Sequence, residues 1–148
     1  MSSAQSATIR SGLVALGLTA AVFAASLPMP AAAQDSSVYA VEVGDVTAKI
    51  GEPAVMRATL KLRDGYRILK SYNNRVGRLS SSDDGVAFEQ EMVKAELQDG
   101  ALVFAIPLHA TKPGTHPING VFRVGYMLGT DEMDMVSVKL IANVTGTE

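Results

Sequence analysis

The sequence predicts an all-β sandwich, and three observations carry that prediction. Apolar and polar residues alternate with a period of two along most of the chain beyond residue 37, the spacing of strands with one buried face. Turn residues punctuate the runs at Asp64-Gly65, Asn73-Asn74, Asp83-Asp84-Gly85, Asp99-Gly100 and Pro113-Gly114, as antiparallel connections require. No segment has a helical period, and none repeats. Several short strands in roughly a hundred residues point to an antiparallel β-sandwich of immunoglobulin-like type with about seven strands.

The elements follow in order. Residues 1–33 are expected to be a cleaved export signal. Arg10 is their only charge, Gly12 to Ala25 runs without one, Leu27-Pro28-Met29-Pro30 breaks any helix, and Ala31-Ala32-Ala33 offers a cleavage site before Gln34. This apolar run is shorter than the ~20 residues of a membrane span, so no membrane anchor is expected in the mature chain. No cysteine follows it, which argues against a lipid anchor. Residues 34–37 read as a flexible leader, and residues 38–148 as a single β-sandwich domain. Ala54, Met56, Ala58, Leu60 and Leu62 alternate with Val55, Arg57, Thr59, Lys61 and Arg63. Leu102, Phe104, Ile106 and Leu108 form a second inward face, and Val136, Val138, Leu140, Ala142 and Val144 a third. Shorter strands are expected at Val38–Val43, Val46–Ile50, Tyr66–Leu69, Val86–Phe88, Met92–Leu97 and Ile118–Tyr126. Asp99-Gly100 suits the positive φ angles of a tight hairpin, and Pro107 belongs on an edge strand. The segment from Lys70 to Asp84 is the least regular and reads as a long loop.

Composition narrows the function. Beyond residue 33 the chain carries 12 basic and 15 acidic residues, the wrong sign for a nucleic-acid-binding surface. With no cysteine, thiol catalysis, disulfides and cysteine metal sites are absent, and the domain must be held by its core. There is no Gly-x-Ser-x-Gly elbow, phosphate loop, dinucleotide fingerprint or zinc-protease helix. Ser80-Ser81-Ser82 beside Asp83 and Asp84 reads as a solvated turn, because a serine nucleophile needs a base within reach. Asp131-Glu132-Met133-Asp134 lacks the spaced oxygen donors of a calcium loop and reads as an exposed acidic turn. His116 with Met127, Met133 and Met135 offers imidazole and thioether donors of the kind copper favours; the same residues also suit a core.

From Leu60 to Val144 the order of features resembles the N-terminal α domain of the thiol:disulfide interchange protein DsbD. The resemblance rests on Gly65-Tyr66-Arg67-Ile68, Phe104-Ala105-Ile106-Pro107-Leu108, Pro113-Gly114, Gly120-Val121-Phe122-Arg123 and the closing strand Val136–Val144. It implies an immunoglobulin-like sandwich. The family's cysteine pair falls at Gly129 and Asp134, so the redox relay is missing here. What the resemblance implies instead is an exported, periplasmic, non-catalytic binding domain with a protein partner and no cofactor. Its partner-facing loop would be Gly125–Asp134, with Tyr126, Met127, Asp131 and Asp134 as binding residues.

A second stretch, Thr115-His116-Pro117-Ile118-Asn119-Gly120-Val121-Phe122-Arg123-Val124, is similar to a segment of CopC-type periplasmic copper proteins. That likeness implies copper binding through His116 and nearby methionines. The N-terminal histidine that completes the family's site has no counterpart at Gln34.

Overall fold

The structure is a computed structural model and describes residues 32–148. In chain order its strands are β1 (Ala32–Asp35), β2 (Tyr39–Val43), β3 (Val46–Lys49), β4 (Pro53–Leu62), β5 (Tyr66–Ile68) and β6 (Arg75–Ser81). They continue as β7 (Val86–Phe88), β8 (Met92–Lys94), β9 (Glu96–Gln98), β10 (Ala101–Ala110), β11 (Gly114–Leu128) and β12 (Glu132–Thr147). The first sheet runs β1-β2-β4-β10-β7, with β9 also beside β10. The second runs β3-β12-β11-β6-β8, with β5 also beside β11. The architecture is the expected all-β sandwich, in which twelve strand segments divide the work of about seven. One pairing is parallel, between β3 and β12.

The core lies between the sheets and forms where the period-two faces meet. Met56, Leu60, Phe104 and Ile106 of the first sheet and Phe122 and Leu140 of the second are almost wholly buried. Phe104 and Phe122 meet across the layers with ring centroids 4.8 Å apart, a tilted aromatic contact. All three alternating runs therefore point inward as the sequence predicts. Asp99 and Gly100 both adopt positive φ between β9 and β10, as their hairpin requires.

Four segments differ from expectation. Lys70–Asp84 is not a long loop: it contains β6, an interior strand between β11 and β8. Its inward residues Val76 and Leu79 are three apart, because Arg78 takes a φ of 54° and the register against β11 shifts between Asn119 and Val121. A β-bulge of this kind breaks the alternation that reveals a strand. Gln34 and Asp35, read as a flexible leader, instead pair with Val41 and Ala40 in β1. Met92–Leu97 divides, β8 joining the second sheet and β9 the first. Pro107 lies on the interior strand β10, not on an edge. Strand β10 pairs β9 through Val103 and β7 from Leu108, so the missing N–H of Pro107 falls beside the gap between them.

The export-signal reading falls on residues outside those described, except that Ala32 and Ala33, just before the expected cleavage point, open β1.

Candidate functional site

The two long strands β11 and β12 form one hairpin that spans the second sheet, from Gly114 opposite Gly146 to Leu128 opposite Glu132. Its two ends differ, and each holds one of the sites that the sequence singles out.

At the turn end the sandwich is open. A cleft of about 600 Å³ is lined by Leu62, Tyr66, Arg67, Leu97, Gly100 and Met127, together with Ile68 and Lys70. A smaller depression of about 330 Å³ continues it past Ile68, Lys70 and Leu97 toward Tyr72 and Lys94. The trough thus has an apolar floor and cationic rims. Tyr126 braces it from behind, its ring meeting Tyr66 edge-on at 5.5 Å. The Tyr126 hydroxyl donates to Asp134 Oδ2 at 3.2 Å across the hairpin. Burial first, and then the Asp134 carboxylate, push the Tyr126 pKa up, so the phenol stays a donor. Arg67 donates to the Gly129 carbonyl at 2.8 Å, tying β5 to the turn.

Of the expected binding residues, Met127 lines this cleft, while Tyr126 and Asp134 support it as a cross-strand pair. Asp131 stands apart in the exposed turn, accepting from Thr130 Oγ1 at 3.2 Å. Positions 129 and 134 are not cross-strand partners: Gly129 occupies the turn at a φ of 65°, and Asp134 faces Tyr126. Sequence reasoning did not assign Tyr66, Arg67, Lys70 and Leu97 to a site. Tyr66 and Arg67 were visible only as part of a framework motif, and Leu97 only as a strand residue. It is 43% exposed despite its apolar side chain.

The other end is closed around His116. The ring is 7% exposed. Its Nδ1 lies 2.7 Å from Asp83 Oδ2 and its Nε2 lies 2.9 Å from the Lys112 carbonyl. Both facing atoms are acceptors, so the arrangement is complete only when both ring nitrogens carry protons. Accordingly the Asp83 hydrogen bond, and then the Lys112 carbonyl, raise the His116 pKa above its ordinary 6.5. Asp83 moves below its ordinary 3.8, chiefly through the His116 hydrogen bond and against the effect of desolvation. A Cβ on Gly85 would fall 2.0 Å from the His116 ring. Only glycine lets the β6–β7 turn lie against it.

This geometry decides what His116 can do chemically. Neither nitrogen has a lone pair free for a metal or for a serine proton while the latch is formed. Ser81 Oγ donates to Asp83 Oδ1 at 3.1 Å, and Ser82 Oγ accepts from Asn119 at 3.0 Å, so neither of these serines is paired with the histidine. His116 and Met127 stand at opposite ends of β11, roughly 35 Å apart along the strand. The structure does not bring them into one site. Among the described residues no group of three or more His, Asp and Glu side chains has metal-binding geometry.

No protein-family model matches the chain, and no curated protein matches it.

Proposed function

We propose that this protein is an exported, periplasmic, non-catalytic interaction domain of the kind the DsbD α domain represents, working without a redox pair. The cleft at the turn end carries this reading. It lies beside the hairpin segment Gly125–Asp134 that the resemblance points to. It combines the exposed Leu97 with Met127 and Tyr66, and adds Arg67 and Lys70 at its edge. Apolar area with a few fixed polar groups is what recognition sites generally offer. A partner segment carrying one apolar anchor and an adjacent carboxylate fits that lining.

The test is site-specific photo-crosslinking in the intact exporting cell, with probes at Met127 and Leu97 in the cleft and at Val55 and Thr59 on the outer face of the first sheet. The expected result is an adduct of one defined mass from the cleft positions, lost when Tyr66 is replaced by Ala. Equal adducts from both pairs of positions would end the proposal.

A second reading, copper handling, has one observation in its favour. Met127 sits directly across from Met133, with Met135 two residues further along the same face, and thioethers suit Cu(I). Titration of Cu(I) against a chelator, for wild type and Met133→Leu, tests it. Equal affinities would remove it.

A further inference from the structure

The outer faces of the two sheets differ in charge. On the first sheet, Asp35, Glu42 and Glu96 are mixed with Arg57 and Lys61. On the second sheet, the outward strand positions carry Lys94, Arg75, Arg123 and Lys139, with Arg78 added by the bulge. Among the described residues no outward strand position of that sheet is acidic; Glu91 stands at its rim, just before β8.

The register makes the concentration sharper. Lys94 is directly opposite Arg75, and Arg75 is directly opposite Arg123. Three cations therefore line up across three adjacent strands within about 10 Å. Like charges directly opposite one another destabilise a sheet. Among the described residues none of the five cations has an acidic partner within ion-pair distance. In a chain whose overall charge is negative, this face has the opposite sign to the rest.

Apolar side chains share the face. Met92, Met135 and Ile141 are 44%, 47% and 52% exposed. Two shallow depressions join the two features. One, of about 340 Å³, sets Arg75, Arg78 and Arg123 around Met92 and Val121. The other, of about 330 Å³, sets Arg78 and Lys139 beside Ile141. Guanidinium forks match phosphate geometry, and flanking apolar groups bury at the level where headgroups meet acyl chains.

We propose that the outer face of the second sheet is a docking surface for an anionic phospholipid membrane. Lys94, Arg75, Arg123, Arg78 and Lys139 hold headgroup phosphates, and Met92 and Ile141 enter the interface beside them. A protein partner would be expected to seat a central aromatic anchor, and the centre of this face is Gly77, Val121 and Arg78. The negative remainder of the chain is repelled by the same membrane, which orients the molecule with this face down. The inference is independent of the turn-end cleft, because none of these five cations except Lys94 borders that trough.

The experiment is co-sedimentation of the full chain with vesicles of phosphatidylcholine containing phosphatidylglycerol, and with phosphatidylcholine alone. Three proteins are compared: wild type, Arg75→Gln/Arg123→Gln, and the first-sheet control Arg57→Gln/Lys61→Gln. All three share residues 1–31, so whatever those contribute is common. The expected result is binding to the anionic vesicles that falls at least about tenfold in the second-sheet pair and less than about twofold in the control. Raising salt to about 0.5 M should release the wild-type protein. Removing the opposed arginines relieves repulsion, so that variant should melt no lower than wild type. Lys94→Gln/Lys139→Gln gives a second reading that leaves the arginine pair intact, with a loss of about fivefold expected. Equal losses in the two sheets, equal binding to neutral vesicles, or no loss in either second-sheet variant would overturn the proposal. So would full competition by soluble glycerol phosphate, which would mark a site for a free anion.

Discussion

The two ends of the sandwich are built on the same pair of strands yet satisfy opposite demands. At the His116 end both ring nitrogens have partners, and the turns after β6 and β10 are locked together. Thr111 Oγ1 donates to the Asp84 carbonyl at 2.7 Å, and the Thr111 amide donates to the Gly85 carbonyl at 2.9 Å. At the turn end Leu97, Met127 and Tyr66 are left beside an open cleft, with Arg67 and Lys70 on its rim. A closed end with these hydrogen bonds made contributes stability. An open end with apolar surface unpaired gives up some stability to remain available. The proposed recognition therefore falls at the turn end, whereas His116, the residue whose chemistry looks most inviting in the sequence, has both ring nitrogens engaged by Asp83 and Lys112.

The largest expected effect falls on the core that both ends share, and it sets the scale for the rest. Leu60, Phe104 and Leu140 are at most 1% exposed. Replacing any of them by Ala should cost about 2–5 kcal/mol, read by chemical denaturation. A loss below about 1 kcal/mol at all three would mean that the sheets do not pack as described. Next comes the closed end. Gly85→Ala sets a methyl against the His116 ring, whose atoms are fixed by partners on both sides. It should cost about 1–3 kcal/mol, the usual range for overpacking. Gly125→Ala at the open end also meets an aromatic ring, since its Cβ would lie 2.6 Å from Tyr72. The Tyr72 Cβ would itself lie 2.7 Å away, and the Tyr72 backbone is held by hydrogen bonds with Leu69 and Asn74, so rotating the ring does not clear the methyl. Gly125→Ala should therefore cost about as much as Gly85→Ala, about 1–3 kcal/mol. A cost below about 0.5 kcal/mol at either position, measured by thermal melting, would mean that the neighbouring ring is not fixed as described.

The closed end also makes stability depend on pH, and the signs can be worked out. His116 has a raised pKa, so its contribution is complete below the ordinary value of 6.5 and is lost as pH rises through the raised value. Asp83 has a lowered pKa, so its contribution is complete above 3.8 and is lost as pH falls through the lowered value. The latch is strongest between about pH 4 and 6.5. Melting curves of wild type and His116→Gln should differ most in that window and converge on the alkaline side. A gap that widens above pH 8 would show that the histidine acts in its neutral form.

What the sequence made legible follows the same division. Three strands with strict alternation, around Leu60, Phe104 and Leu140, were readable because a buried face with period two leaves a plain mark. The central strand β6 was not, because the bulge at Arg78 shifts its inward residues from a spacing of two to three. Met127 was found as a candidate, but its neighbours in the cleft come from β4, β5 and β9, far away in sequence. Nothing local announces that Leu62, Tyr66 and Leu97 meet. The cation row was equally hidden, since Arg75, Lys94 and Arg123 become neighbours only through register.

The smallest effect on stability is the sharpest test of the comparison. Leu97→Ser and Met127→Ser remove apolar surface that is already partly in water at the open end. Each should shift stability by no more than about 0.5 kcal/mol, as surface substitutions do, because little buried contact is lost. Crosslinking from a probe elsewhere in the cleft should nevertheless fall sharply, since an exposed apolar side chain reaches its full value only when a partner covers it. A residue that matters to the fold loses both together; one kept for recognition loses the second alone. If Leu97→Ser instead unfolds the domain as Leu60→Ala does, the turn end is core, and the distinction between the two ends disappears.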